Sequence, residues 1–153
     1  TLQIKNETVV NYLTIMQKCF HIALVRPFFN NIRKELTKMQ KVYLLDTGLR
    51  NCLLNNFQLI SERPDKGELW ENMVFRLLAD KNDPDEIHYW RTSAGNEVDF
   101  VLPAKEKPMA IEVKFDKRLV KSSVYKQFTS TYPELSLRFV FMKPFDENFF
   151  RQL

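Results

Sequence analysis

The 153-residue sequence predicts a mixed α/β (α+β) chain, a mixed sheet with flanking helices, and three observations predict it. Segments 97–102 and 110–115 alternate apolar and charged residues with the two-residue period of a strand. Residues 68–79 carry apolar side chains at helical spacing. From Gly67 onward the segments run helix, three strands, helix, strand, which makes a meander followed by a helical crossover to the last strand.

In chain order, Asn6 is placed to cap a helix over 7–20, with Val9, Leu13, Met16 and Phe20 on one face and Glu7 in the first turn. His21 to Val25 is a short apolar run closed by Pro27, a strand in which His21 is a strand residue rather than a ligand. Asn30-Asn31 marks a turn, 32–40 is basic and polar, and Lys41 to Leu45 is a second strand. Helix, strand, basic connection and strand is the order of the second half of a winged-helix module. Asp46 or Thr47 then caps a short helix through Leu54. The polar stretch Ser61 to Gly67 is the best boundary, dividing the chain into 1–60 and 61–153.

The helix from Glu68 to Ala79 is expected to bury Trp70, Met73, Val74 and Leu77. Glu71 lies at the edge of that stripe and Glu68 roughly opposite it, so Glu71 is either an exposed helix glutamate or a carboxylate that reaches the sheet. Asn82 to Asp85 ends this helix, Ile87 to Thr92 is a strand containing His88, and Ser93 to Asn96 turns into the next. A helix over 119–132 should bury Leu119, Tyr125 and Phe128, a strand runs from Leu137 to Met142, and Phe145 to Leu153 is a short tail.

The central hairpin carries the chemistry. Val98, Phe100 and Leu102 share one face, as do Ile111, Val113 and Phe115, while Glu97, Asp99, Glu112 and Lys114 face the other way. A loop centred between Lys105 and Glu106 pairs positions that sum to 211, setting Asp99 opposite Glu112 and Glu97 opposite Lys114. Two carboxylates with Cβ atoms about 4.5–5.5 Å apart destabilise a sheet unless a positive charge lies between them. A divalent cation, Mg²⁺ or Mn²⁺, held by Asp99 and Glu112 with Glu71 as an auxiliary ligand would supply it. Lys114 would then orient or deprotonate an attacking water, or neutralise charge on a phosphate, and phosphodiester hydrolysis is the reaction these parts suit. The plain alternative is a wet sheet face with a Glu97–Lys114 ion pair.

Composition bounds this reading. Hydrophobic content of 44%, charged content of 27% and three glycines describe an ordinary globular chain without long flexible linkers, and thirteen Phe fill its core. No apolar run approaches the ~18 residues of a membrane span, and no signal peptide opens the chain. Cys19 and Cys52 lack metal-ligand spacing and read as buried free thiols of a cytoplasmic protein. Residues 1–50 hold eight Lys/Arg against three acids, whereas 51–153 hold fifteen against sixteen, so Arg33, Lys34, Lys38 and Lys41 form a candidate DNA-binding segment. The opening Thr1 is compatible with a piece of a longer protein.

Asp99, a connection, then Glu112-Val113-Lys114 resembles the PD-(D/E)XK nuclease signature, and the helix beginning Gly67-Glu68-Leu69-Trp70-Glu71 looks like the first helix of that fold. Lys41-Val-Tyr-Leu-Leu-Asp-Thr-Gly-Leu-Arg-Asn51, Glu71-Asn72, Tyr89-Trp-Arg-Thr92, Gly95-Asn-Glu-Val-Asp-Phe-Val101 and Ala110-Ile-Glu-Val-Lys114 together resemble a domain of unknown function that follows an ATPase module in bacterial and archaeal AAA+ proteins. The resemblance implies a partial winged helix over 1–60 and a restriction-endonuclease-like domain over 61–153, with an ATPase partner and either a Mg²⁺-dependent nuclease activity or a catalytically silent DNA- or protein-binding role. Val98 stands where the signature has proline, and Gln127 is followed four residues on by Thr131 rather than the tyrosine of exonuclease-type relatives. The phosphate-cradling Gly-x-x-x-x-Gly-Lys-Ser/Thr loop does not occur, so this chain does not bind ATP through it.

Overall fold

The computed structural model describes residues 4–29, 39–103, 107–120 and 122–142. Helix α1 spans Asn6–Lys18, one residue earlier than its capping signal suggested, with Lys5 at the N-cap making no side-chain bond. Strands β1 (Ile22–Pro27) and β2 (Lys41–Leu44) pair antiparallel, Val25 opposite Lys41 and Ile22 opposite Leu44. The Asp46 carboxylate accepts the Leu49 N–H at 2.9 Å and so starts α2, Thr47–Leu53. Asp46→Ala should lower unfolding free energy by about 1 kcal/mol, the usual worth of such a cap, as read from urea midpoints.

Helix α3 spans Lys66–Ala79, and the meander follows as β3 (His88–Arg91), β4 (Glu97–Leu102) and β5 (Met109–Lys114). Gly95, at φ +88°, takes the left-handed position in the turn between β3 and β4, where a side chain would be strained. Helix α4 (Ser122–Thr131) leads back to β6 (Ser136–Phe141), which pairs parallel with β5. All six strands form one mixed sheet in the order β2-β1-β3-β4-β5-β6, with β1 and β3 also parallel. Strands from both sides of the boundary near residue 61 therefore share a sheet. That stretch is itself pinned: Arg63 is 2% exposed and donates to Asn51 Oδ1, the Asn56 carbonyl and both Asp65 oxygens.

The sheet is covered on both faces. Trp70, Val74, Phe75 and Leu78 of α3 pack on Tyr43, Phe100, Leu102, Ile111 and Val113, while Tyr125 and Phe128 of α4 pack on Trp90, Val98, Val101 and Ala110. Helix, sheet and helix thus make three layers, the architecture its period-2 and period-3.6 segments predict.

Several local expectations are corrected. Helix α3 buries Phe75 and Leu78 in place of Met73 and Leu77, which are only partly buried. At about 100° per residue the buried face is turned by about 70° toward Glu71. Leu119 is exposed in a 3-10 turn (Lys117–Leu119) ahead of α4, and Tyr132 joins the core instead. Cys19 and Cys52 are free thiols, as expected, but exposed rather than buried. Val98 lies in the α4-side core with Val101, not with Phe100, because β4 advances three residues from Val98 to Val101 while β3 advances two from Trp90 to His88. This bulge breaks strict alternation at Asp99. The turn at Asn30-Asn31, the hairpin loop at Lys105 and Glu106 and the tail from Phe145 lie outside the described residues.

Candidate functional site

Along β4 and β5 the paired residues are Leu102 and Met109, Val101 and Ala110, and Phe100 and Ile111, each summing to 211 as expected. At the bulge the Asp99 carboxylate takes the place of a backbone partner and accepts the Val113 N–H at 2.8 Å through Oδ2. Asp99 and the adjacent Glu112 are 7% and 3% exposed. The acids therefore do not sit on a wet face. Glu112 Oε1 accepts from Tyr125 Oη on α4 at 2.9 Å and forms a close ion pair with Lys114 Nζ; Glu112 Oε2 is buried with no hydrogen-bond partner.

A second group converges from β2 and α3. Lys41 Nζ lies 3.0 Å from Glu71 Oε1 and 3.7 Å from Asp99 Oδ1, and makes a close salt bridge with Glu97. Tyr43 Oη donates to the same Glu71 oxygen, and its ring stacks on Phe75 at 4.4 Å. Beside Glu71, Asn72 grips the edge strand, accepting the Leu44 N–H at 3.1 Å and donating to the Leu44 carbonyl at 2.8 Å. Asn72→Ala should cost about 1–3 kcal/mol, since it strips two partners from backbone that β2 cannot pair elsewhere. An unfolding midpoint equal to wild type would contradict this. A cavity of about 250 Å³ opens here, lined by Lys41, Arg50, Glu68 and Glu71 among others.

The expected Glu97–Lys114 pair does not form. Glu97 is the cross-strand neighbour of Arg91, whose Nε lies 3.3 Å from it, and its other oxygen takes Lys41. Lys114 folds back instead onto Glu112, two residues away on the same strand. Glu71 is brought to Lys41 and Tyr43 and lies near enough to Asp99 to raise its pKa.

Burial drives the electrostatics. It pushes the Asp99 carboxyl above its ordinary range, and the Glu71 and Glu112 charges add to the push. Glu112 is also raised by burial, against the opposing hydrogen bonds of Lys114, Tyr125 and the Asp99 backbone N–H. For Lys114 burial alone would lower the pKa, but the Glu112 hydrogen bond and the surrounding acids outweigh it and hold the ammonium above its usual value. Lys41 behaves the same way, with Glu71, Asp99 and Glu97 overcoming burial. Both lysines are charged at neutral pH, and burial beside a carboxylate keeps the Tyr43 and Tyr125 phenols protonated.

Among the described residues no group of three or more His, Cys, Asp or Glu side chains is arranged to hold a metal ion. The donor set is instead two buried carboxylates, one with a free oxygen, and a hard cation such as Mg²⁺ fits this, taking one or two carboxylates and completing its shell with water. Of the expected basic segment, Arg33, Lys34 and Lys38 lie outside the described residues, and Lys41 points into the acidic cluster. Periodicity did not single out Tyr43, Tyr125 or Lys41 for the site. The helical position of Tyr125 marked it only as a core residue.

The molecule is thus a three-layer α/β protein whose central hairpin buries an acidic and lysine-rich cluster. The chain belongs to a family described as a domain of unknown function, DUF4143, whose model matches residues 66–149. A second domain of unknown function, DUF8612, matches residues 1–59. The uncharacterized proteins Rv2008c of Mycobacterium tuberculosis and Mb2031c of Mycobacterium bovis are each 30% identical over 139 residues, 90% of this chain. The chain spans about a third of the length of these relatives, 31%. No solved structure matches it.

Proposed function

We propose that this chain is a nuclease-like domain that hydrolyses DNA phosphodiesters with Mg²⁺ or Mn²⁺. One observation carries the reading: Asp99 and Glu112 are buried side by side at the end of a paired hairpin, and a Glu112 oxygen has no partner. Asp99 and Glu112 would hold the cation, which when bound lowers the pKa of a water and offsets charge on the phosphate. Tyr125 and Lys114 hold Glu112 in position, and the Val113 N–H holds Asp99. Lys114 carries its proton at neutral pH, so of its two expected roles charge stabilisation is favoured over general base. Glu71, on Tyr43 and Lys41, acts as the auxiliary acid at the rim. A cleavage assay on DNA and RNA with Mg²⁺ or Mn²⁺, comparing wild type with Asp99→Ala, tests the proposal. Cleavage lost in Asp99→Ala supports it; a wild type that cuts neither polymer ends it.

The metal-free protein should also lose stability as pH rises from the ordinary carboxylate range into the neutral range. Folded Asp99 keeps its proton where the unfolded chain has released it, so folding takes up a proton and higher pH opposes it. One such group contributes a slope of up to about 1.4 kcal/mol per pH unit. The depressed pKa values of Asp65, hydrogen-bonded by Arg63 and Arg50, and of Asp116, hydrogen-bonded by Arg118, act at lower pH. Urea midpoints in chelator that climb between pH 5 and pH 8 would contradict this assignment.

The resemblance extends the proposal to a longer cytoplasmic protein in which residues 1–60 act as a partial winged helix beside an ATPase module. Arg33, Lys34 and Lys38 would contact DNA, with an affinity that falls steeply with salt. A second reading, a catalytically silent module that docks protein or DNA, is favoured by exposed apolar residues. Val9, Val10, Tyr12 and Ile15 are exposed on α1, which buries none of its residues, and Leu53, Leu54 and Phe57 are exposed at and just beyond the end of α2. Partner binding that survives Asp99→Ala, with no cleavage by wild type, would select it.

A further inference from the structure

We infer that the substrate is single-stranded DNA, and that Phe139 and Phe141 on β6 form a platform on which its unpaired bases stack beside the scissile phosphate. The inference rests on the DNA-cleavage reading proposed above and specifies the substrate class of that same site. Strands β5 and β6 pair parallel with Glu112 beside Phe139 and Lys114 beside Phe141. Neighbouring strands lie about 4.8 Å apart, so each ring stands one strand over from a residue of the site, on the same face of the sheet.

A line of rings leads outward from Glu112. Tyr125, which donates to Glu112, meets the Phe139 ring edge-on at 5.2 Å, and Phe139 lies parallel to Phe141 with centroids 6.2 Å apart. The inner end of this line is the buried Tyr125, whereas Phe139 and Phe141 are half-buried. The ammonium of Lys117, an exposed residue, lies 5.6 Å from the centre of the Phe141 ring. A side chain from the solvent side therefore reaches the Phe141 face, and a flat base reaches it by the same route.

Charge complements the rings. Residues 112–118 hold three bases, Lys114, Lys117 and Arg118, against two acids. Glu112 pairs with Lys114 and Asp116 with Arg118, so Lys117 supplies positive charge beyond these pairs. Proteins hold unpaired strands on surfaces of this kind, where cations follow the phosphates and aromatic rings take base faces regardless of sequence. A duplex keeps its base faces stacked on one another, so it can use the cations but not the rings.

Fluorescence anisotropy with the 153-residue chain in EDTA, where no cation supports cleavage, tests this against a labelled single-stranded oligonucleotide and the same strand in a duplex. The single strand should bind about tenfold tighter or more. Phe141→Leu should lose about tenfold in single-strand affinity with duplex affinity unchanged, and Phe141→Trp should keep it. Lys117→Ala should weaken both and lower the salt slope by about one. Circular dichroism establishes that each variant is folded, and the wild-type preference for the single strand decides the matter even if Phe141→Leu does not fold. Equal affinity for duplex and single strand, or a folded Phe141→Leu with wild-type single-strand affinity, overturns the inference even where metal-dependent cleavage is observed. Single-strand binding that depends on Phe141, in a chain that cuts neither polymer, would end the cleavage reading and keep the single-strand site.

Discussion

Lys114→Ala is expected to lower metal-dependent DNA cleavage by about 10²–10³-fold while Mn²⁺ binding survives. The magnitude is that of removing one preorganised charge-stabilising donor from a water-poor site. Lys114 is half-buried, charged at neutral pH and held against Glu112, so its ammonium is in place before charge builds on the phosphate. Removing it deletes a positive charge beside Glu112, which leaves the carboxylate at least as attractive to a cation. The effect should therefore fall on turnover, with metal affinity kept or tightened. Mn²⁺ calorimetry and single-turnover cleavage on the same preparation separate the two. Loss of both together would mean that Lys114 only orders Glu112.

Phe75→Ala should destabilise the chain by about 3–5 kcal/mol, the cost of deleting a fully buried aromatic ring. Phe75 is fully buried, stacks on Tyr43 at 4.4 Å and lies 6.0 Å from the Phe100 ring, so it joins α3, β2 and β4 at one point. Leu77→Ala, on the neighbouring and only partly buried position, should cost about 1 kcal/mol or less. For a chain of this size the first change lowers the melting temperature by roughly 6 °C or more. Equal losses for Phe75→Ala and Leu77→Ala would mean that α3 packs through the face its apolar periodicity indicated.

The contrast shows where pattern reading stops. Met73 and Leu77 complete the tidier helical spacing with Trp70 and Val74, but Phe75 stacks on Tyr43 and lies against Phe100, and Phe75 and Leu78 are buried in their place. That rotation carries Glu71 inward to Tyr43 and Lys41. Val98 changes face for a related reason, since a bulge against β3 adds a residue that no apolar/polar alternation encodes. Asp46 could be read as a cap from its position alone, because a cap acts within one turn.

By itself the sequence determined the α/β class, nearly all the described helices and strands, and the hairpin register over Phe100–Leu102 and Met109–Ile111. These depend on side chains two to four residues apart and on the reach of a short connection, all local quantities. Only the tertiary structure decided that both hairpin faces are covered, that Tyr125 and Lys114 converge on Glu112, and that Lys41 leaves the expected basic surface to sit among Glu71, Glu97 and Asp99. Lys41 and Glu71 are 30 residues apart, and the strand order β2-β1-β3-β4 brings them to Asp99. Burial then supplies the physical reason for the cluster: carboxylates taken from water must find positive partners, and the fold provides two lysines and leaves one Glu112 oxygen free.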